Sequence, residues 1–181
     1  MSNCKNDNLI WLDLEMSGLD IKKNVILEIA TVITNNNLDI IAQGPVFAIR
    51  HSKKLLDNMD NWNKKHHSQS GLIARVLSSK INAAKAEEET LKFLKKYVPK
   101  NKSPLCGNSI WQDRKFLQKF MPQLEEYFHY RHIDVSTLKE LALRWGKNKI
   151  IPYKKNNLHE ALADIYESIN ELKYYRENML K

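Results

Sequence analysis

The chain has 181 residues, 43% hydrophobic and 28% charged, a balance that excludes a disordered chain and a length that fits one domain with a sizeable core. Its formal net charge of +8 favours polyanionic partners without naming one, because much of it is Lys in scattered pairs such as Lys22–Lys23, Lys64–Lys65 and Lys154–Lys155. No run of about 18 apolar residues is present to span a bilayer, so no membrane association is expected.

Residues 1–8 read as a polar N-terminal tail without the apolar segment of a secretory leader, and residues 9–181 as a single domain. Of only two cysteines, Cys4 lies in that tail and Cys106 in an apolar stretch, so no disulfide framework is expected and a reducing cytoplasmic location fits. Residues 9–14 are an apolar strand candidate that carries Asp13 and runs into Glu15. In a strand, positions i and i+2 share a face, so these two carboxylates project side by side. Two like charges about 4 Å apart repel by roughly 4 kcal/mol at an effective dielectric of about 20. A hard cation such as Mg²⁺ or Mn²⁺ removes that cost, although an isolated D-x-E is also met as an exposed acidic strand end.

Strands are next expected over 25–34 and 38–49, joined by a hairpin turn at Asn35–Asn36–Asn37, where Asn tolerates the left-handed region. The chain thus opens as an antiparallel meander. Helical patterns follow around Trp62, over 72–77, and over 83–98 where Pro99 stops the last. The second half alternates: a short buried strand at 103–107, a helix over 112–121, a strand at 132–135, a helix over 136–145 ended by Gly146, a basic loop over 147–157 and a final helix over 158–178. Strands first and then alternation predict an α/β domain, a mixed sheet with helices packed on it.

Two further acids stand where such folds build sites. Asp113 lies near the start of a predicted helix after a short strand, and Asp164 on the last helix. With Asp13 and Glu15 they would place four carboxylates around two cations, the arrangement that supports in-line phosphodiester displacement. His159 is the natural base, able to take a proton near neutral pH. On a continuous helix it would lie about 140° around from Asp164, so it is expected in the loop or first turn. Taken alone, it reads first as an exposed helix-start residue.

Segments 11–20 (WLDLEMSGLD), 106–114 (CGNSIWQDR) and 159–164 (HEALAD) resemble the three sequence blocks of the DEDDh exonucleases. With 134–139 (DVSTLK) and the Trp62 to His67 stretch they are similar to the oligoribonuclease group within that family, and the likeness runs from about residue 9 to the C-terminus. Ser17 stands where many relatives have Thr, and the 147–157 loop aligns poorly. The resemblance implies a ribonuclease-H-like fold with a five-stranded mixed sheet and flanking helices. It also implies a homodimer and a 3′-to-5′ exoribonuclease acting on the shortest RNA fragments, dinucleotides above all, with two Mg²⁺ or Mn²⁺ ions per site.

On that likeness Asp13, Glu15, Asp113 and Asp164 are metal ligands and His159 the general base. Leu19 is a wedge between the two bases, while Trp62 and His67 flank the terminal nucleotide. Ser109, Arg131, Ser136 and Thr137 cap the phosphate end of the substrate, where a helix N-terminus favours an anion. Tyr130 reaches the partner subunit's site. Judged without the family, Ser136 is equally a helix cap, Arg131 a surface charge and Trp62 a core residue. Two alternatives stand beside this one: a DEDDh exonuclease that trims longer strands, and a non-catalytic nucleic-acid-binding module using the basic surface.

Overall fold

The computed structural model describes residues 5–146, 153 and 160–179. Strand β1 (Leu9–Met16) pairs antiparallel with β2 (Ile26–Thr34), and β3 (Ile40–Gln43) and β4 (Phe47–Ala48) both pair with β2. On the other side β5 (Leu105–Gly107) lies parallel to β1, and β6 (His132–Asp134) parallel to β5. The expected five strands are all present in the order β3-β2-β1-β5-β6, and β4 makes a sixth.

That sixth strand arises because the stretch expected as one strand over 38–49 is interrupted. The Gly44 amide still donates to the Thr31 carbonyl at 2.9 Å, but a Cβ there would lie 2.3 Å from Thr31 Oγ1 and 2.8 Å from the Phe93 ring. Only glycine allows so close an approach, and Pro45 then has no N–H to continue the ladder. The hairpin before it also differs in detail from expectation. Asn35 Oδ1 accepts from the amides of Asn37 and Asp39, yet the left-handed residue is Leu38, at φ 68°. Burial of its side chain holds it there against the steric cost.

Eight helices surround the sheet among the described residues: α1 (Lys53–Asp57), α2 (Asn61–Gln69), α3 (Leu72–Ser78), α4 (Ala83–Leu94), α5 (Ile110–Phe120), α6 (Pro122–Glu125), α7 (Val135–Trp145) and α8 (Ala161–Asn178). Asp60 and Asn82 cap α2 and α4 through side-chain oxygens. The expected helix over 83–98 ends at Leu94, because the amides of Lys96 and Tyr97 bond three residues back to Phe93 and Leu94 and tighten the chain before Pro99.

The alternation along β1 sorts the chain into two cores. Ile10, Leu12 and Leu14 enter one core with Leu91 and Leu94 of α4 and Phe116 and Leu117 of α5. Trp11 faces the opposite way, packing with Ala30 and Val32 of β2 and Ile165 and Ile169 of α8. Its indole N–H donates to Thr34 Oγ1 at 3.0 Å. Asp13 and Glu15 continue the Trp11 face by the period of two, so the same pattern that fills the α4–α5 core aims both acids toward α8. Every residue of β2 is buried, since helices cover both faces.

Candidate active site

One carboxylate oxygen each from Asp13, Glu15 and Asp164 lie within 4.8 Å of one another. Strand β1 supplies the first two, and Asp164 comes from the first turn of α8. Asp113 occupies the first turn of α5, where it is buried, and its Oδ1 accepts the Leu14 amide at 3.0 Å, on the strand between the other two acids. It stands beside the group of three and repels Glu15 through space. Burial pushes the Glu15 carboxyl up to about 8, and repulsion from Asp164, Glu28 and Asp113 adds to it. Burial likewise pushes Asp113 up to about 8, against the opposing pull of the Leu14 amide. Clustered oxygen donors whose charge is costly without a cation fit a hard divalent ion.

The supporting contacts include residues that sequence reasoning missed. Glu28 faces Glu15 across the β1–β2 ladder, and its Oε1 accepts from Arg75 Nε at 3.2 Å and Nη2 at 3.0 Å. The signal for it was a glutamate inside an otherwise apolar strand, ILEIATVIT. Asn108 Nδ2 donates to Ser168 Oγ at 2.7 Å and to Glu171 Oε2 at 3.1 Å, and Ser168 Oγ donates to the Asp164 carbonyl at 2.7 Å. This chain ties the β5–α5 loop to the helix that carries Asp164.

Neighbours of Asp113 on α5 organise the rim. Gln112 Nε2 donates to the Leu19 carbonyl at 2.8 Å, while the Leu19 side chain is 71% exposed. The loop bearing Leu19 turns at Gly18, φ 150°, where a Cβ would lie 2.7 Å from Asn24 Oδ1. Arg114 pairs with Glu125 at 2.7 Å and donates to the carbonyls of His129 and Tyr130 at 3.1 Å each. Tyr130 is 71% exposed, its ring 4.3 Å from His129 and 5.3 Å from the exposed Arg131 guanidinium.

Trp62 is 56% exposed on α2, with one face stacked on His66 at 3.9 Å. His67, from the same helix, points inward: its Nε2 lies 2.9 Å from the Met16 carbonyl and its Nδ1 3.9 Å from Glu15 Oε2. It is buried and braces the end of β1, whereas Trp62 offers a ring to solvent. At the α7 N-terminus, Asp134 is the cap. Its Oδ1 accepts the amides of Ser109 and Ser136 at 3.0 Å and the Ser136 hydroxyl. Ser109 holds a left-handed conformation, φ 51°, that turns its amide to this carboxylate. The expectation of free N–H groups there meets a carboxylate that already uses one; Thr137 beside it is exposed. His159 lies outside the described residues. Cys106 is buried, and burial pushes its thiol up, which makes it inert.

The comparisons agree with this geometry. A family model described as an exonuclease matches residues 10–172. A solved structure of E. coli exonuclease I in complex with a dA16 oligonucleotide superposes with a TM-score of 0.71 at 14% identity, covering 96% of this chain and 42% of that one. A second, from Methylocaldum szegediense, gives a TM-score of 0.70 at 14% identity over 96% of this chain and 41% of its own. The fold is therefore ribonuclease-H-like, and fold and carboxylates together define a nuclease of the exonuclease class.

Curated relatives narrow that class. Oligoribonuclease of Haemophilus influenzae is 59% identical over 174 residues, 96% of either chain. That of Hydrogenovibrio crunogenus is 60% identical over 173 residues, 96% of this chain and 94% of its own. That of Coxiella burnetii is 56% identical over 175 residues, 97% of this chain and 96% of its own. The chain belongs to the oligoribonuclease family and is a 3′-to-5′ exoribonuclease. The non-catalytic alternative falls.

Proposed function

We propose that the chain hydrolyses very short RNA oligonucleotides, dinucleotides in particular, to 5′-mononucleotides, with residues 9–181 acting as one catalytic domain in the cytoplasm. The observation that carries this reading is the convergence of Asp13, Glu15 and Asp164 within 4.8 Å beside the buried Asp113. These residues would hold two divalent ions, Mg²⁺ or Mn²⁺, which when bound supply Lewis-acid stabilisation of the charge that builds in phosphodiester displacement. The protein's own part is to fix the geometry. Asp113, gripping the Leu14 amide, keeps β1 in register with α5, and the Asn108–Ser168 chain does the same for α8.

His159 takes a proton from the attacking water as its oxygen bonds to phosphorus; the P–O3′ bond breaks, the departing O3′ takes a proton from solvent to become a 3′-hydroxyl, and the terminal nucleotide keeps a 5′-phosphate. The terminal base stacks on the exposed face of Trp62, His67 steadies that helix against β1, and Leu19 inserts between the two bases. A phosphate at the far end is met by Arg131, Thr137 and the Ser109 hydroxyl, and Ser136 joins them once its hydroxyl turns away from Asp134. A dinucleotide offers few atoms, so both ends must be gripped, and that grip shuts out longer strands.

A homodimer completes the site through Tyr130. Large side chains left in solvent support it: Tyr130, Trp111, Leu143 and Trp145 are all exposed on or beside α5 and α7. The decisive test compares turnover of a diribonucleotide with a twenty-base strand in Mn²⁺. Strong preference for the former is expected, and equal efficiency on both would defeat the end-capped reading.

A further inference from the structure

A fifth carboxylate sits next to the metal-site acids and is left unused by the mechanism. Glu28 lies directly opposite Glu15 in the antiparallel register of β1 and β2. Residues so paired share a face, with Cβ atoms about 4.5–5.5 Å apart. The Glu28 side chain is 3% exposed, so its charge has little water to spread into. By distance, sign and chemistry it is a rival oxygen donor for any cation that Glu15 binds.

Its partner is Arg75, from α3 on the far side. Two nitrogens of the guanidinium fork donate to the one oxygen, Oε1, and a third donates from Nη1 to the Ser70 carbonyl at 2.8 Å. The fork is thus anchored at both ends, to the buried acid and to the turn that joins α2 to α3. Such a planar, multiply bonded pair fixes direction in a way that a lysine ammonium does not. Both members act on Glu15 through space, Glu28 repelling it and Arg75 opposing that repulsion.

We propose that Arg75 is a positioning residue for the metal site: by clamping Glu28 and cancelling its charge, it prevents this fifth carboxylate from drawing a cation off the Asp13, Glu15 and Asp164 cluster. The proposal rests on the metal-site reading above. Its consequences have opposite signs for the two partners. Removing the clamp frees an acid, so the cation is held more tightly but in the wrong place. Removing the acid leaves an uncompensated cation beside the site, so the metal is held less tightly.

The test measures the Mn²⁺ concentration at which thermal stabilisation is half complete, together with kcat and KM on a diribonucleotide. In Arg75→Met the midpoint should fall about tenfold while kcat drops by a similar factor and KM holds. In Glu28→Gln the midpoint should rise about tenfold. The double variant should return both midpoint and kcat toward the parent, whereas Arg75→Lys should recover only part of kcat. A loss of packing alone would lower the metal-free melting temperature without moving the midpoints in opposite directions. An unchanged or higher midpoint in Arg75→Met, or a double variant no better than the single, would overturn the proposal. Should Arg75→Met fail to fold, a raised midpoint in Glu28→Gln that the double variant brings back toward the parent supports the proposal, and a double variant that stays at the Glu28→Gln midpoint overturns it. If the parent protein shows no Mn²⁺ stabilisation at all, it is the metal-site reading that fails instead.

Discussion

The carboxylate cluster and the rim around it are built on opposite principles. Asp113 and Glu28 are buried, and each is tied down by named donors: the Leu14 amide and the Arg75 fork. Around the cluster, Leu19, Trp62, Tyr130 and Arg131 are exposed: the carbonyls of Leu19 and Tyr130 are held by α5, and the Trp62 and Tyr130 rings rest on neighbouring histidines. Chemistry is fixed by the fold before substrate arrives. On the proposed reading, selectivity instead falls to the exposed groups, whose remaining open faces a nucleotide would cover.

Breaking the inner region should have the largest effect. Asp164→Ala should cut turnover by about two to three orders of magnitude, measured as mononucleotide release from a diribonucleotide, because a ligand to the stabilising charge is lost. Activity within tenfold of the parent would remove Asp164 from the site. His159→Ala should cost roughly a hundred-fold in kcat with a modest change in KM, and equal turnover would disqualify it as the base.

Breaking the scaffold behind the acids acts on stability instead. Leu12→Ala, on the apolar face of β1, should cost about 2–5 kcal/mol in denaturant unfolding, since it opens a cavity against α4 and α5. At the rim the expected change is smaller and falls on a different constant. Trp62→Ala should raise KM for a diribonucleotide by about tenfold or somewhat more, in line with a stacking contribution of about 1–3 kcal/mol per base, and leave kcat nearly intact. A fall in kcat with unchanged KM would contradict the division between the two regions.

The mildest perturbation is pH in the absence of metal. Glu15 and Asp113 rise to about 8 in the folded protein from ordinary values of 4.5 and 3.8, so the folded state holds protons that the unfolded state has released. Stability of EDTA-treated protein should therefore be greatest in acid and decline as pH rises through the interval up to about 8. Saturating Mn²⁺ should flatten that decline, because bound cations favour the ionised carboxylates. A metal-free melting temperature that rises between pH 5 and 8, by about a degree or more, would contradict the burial of these acids.

Much of this division was legible in the residues. The D-x-E spacing on an apolar run placed Asp13 and Glu15 on one face, and the strand-helix alternation put Asp113 near the start of one helix and Asp164 on the last, because both follow from local periods of two and 3.6. What escaped were features set by distant partners. The break that separates β3 from β4 depends on Phe93 lying against Gly44, and the left-handed turn at Leu38 depends on its burial. Neither is visible in the Asn-rich stretch itself. Asp134 was read as part of a phosphate-binding helix start, but the carboxylate answers the Ser109 amide from another loop, a contact spanning 25 positions. The clamp of Arg75 on Glu28 spans 47.

One turn of α5 carries a wider implication. Gln112, Asp113 and Arg114 are consecutive, yet they reach three separate places: the Leu19 loop, the middle of β1, and the loop bearing Tyr130. Inserting or deleting a single residue upstream of them would swing all three about 100° around the helix axis at once. The Leu19 loop, the Asp113 carboxylate and the Tyr130 loop would lose their anchors together. Length changes just ahead of this turn should therefore be far less tolerated than in the exposed connections elsewhere, and the spacing from Gly107 to Asp113 is where this nuclease has least freedom to drift.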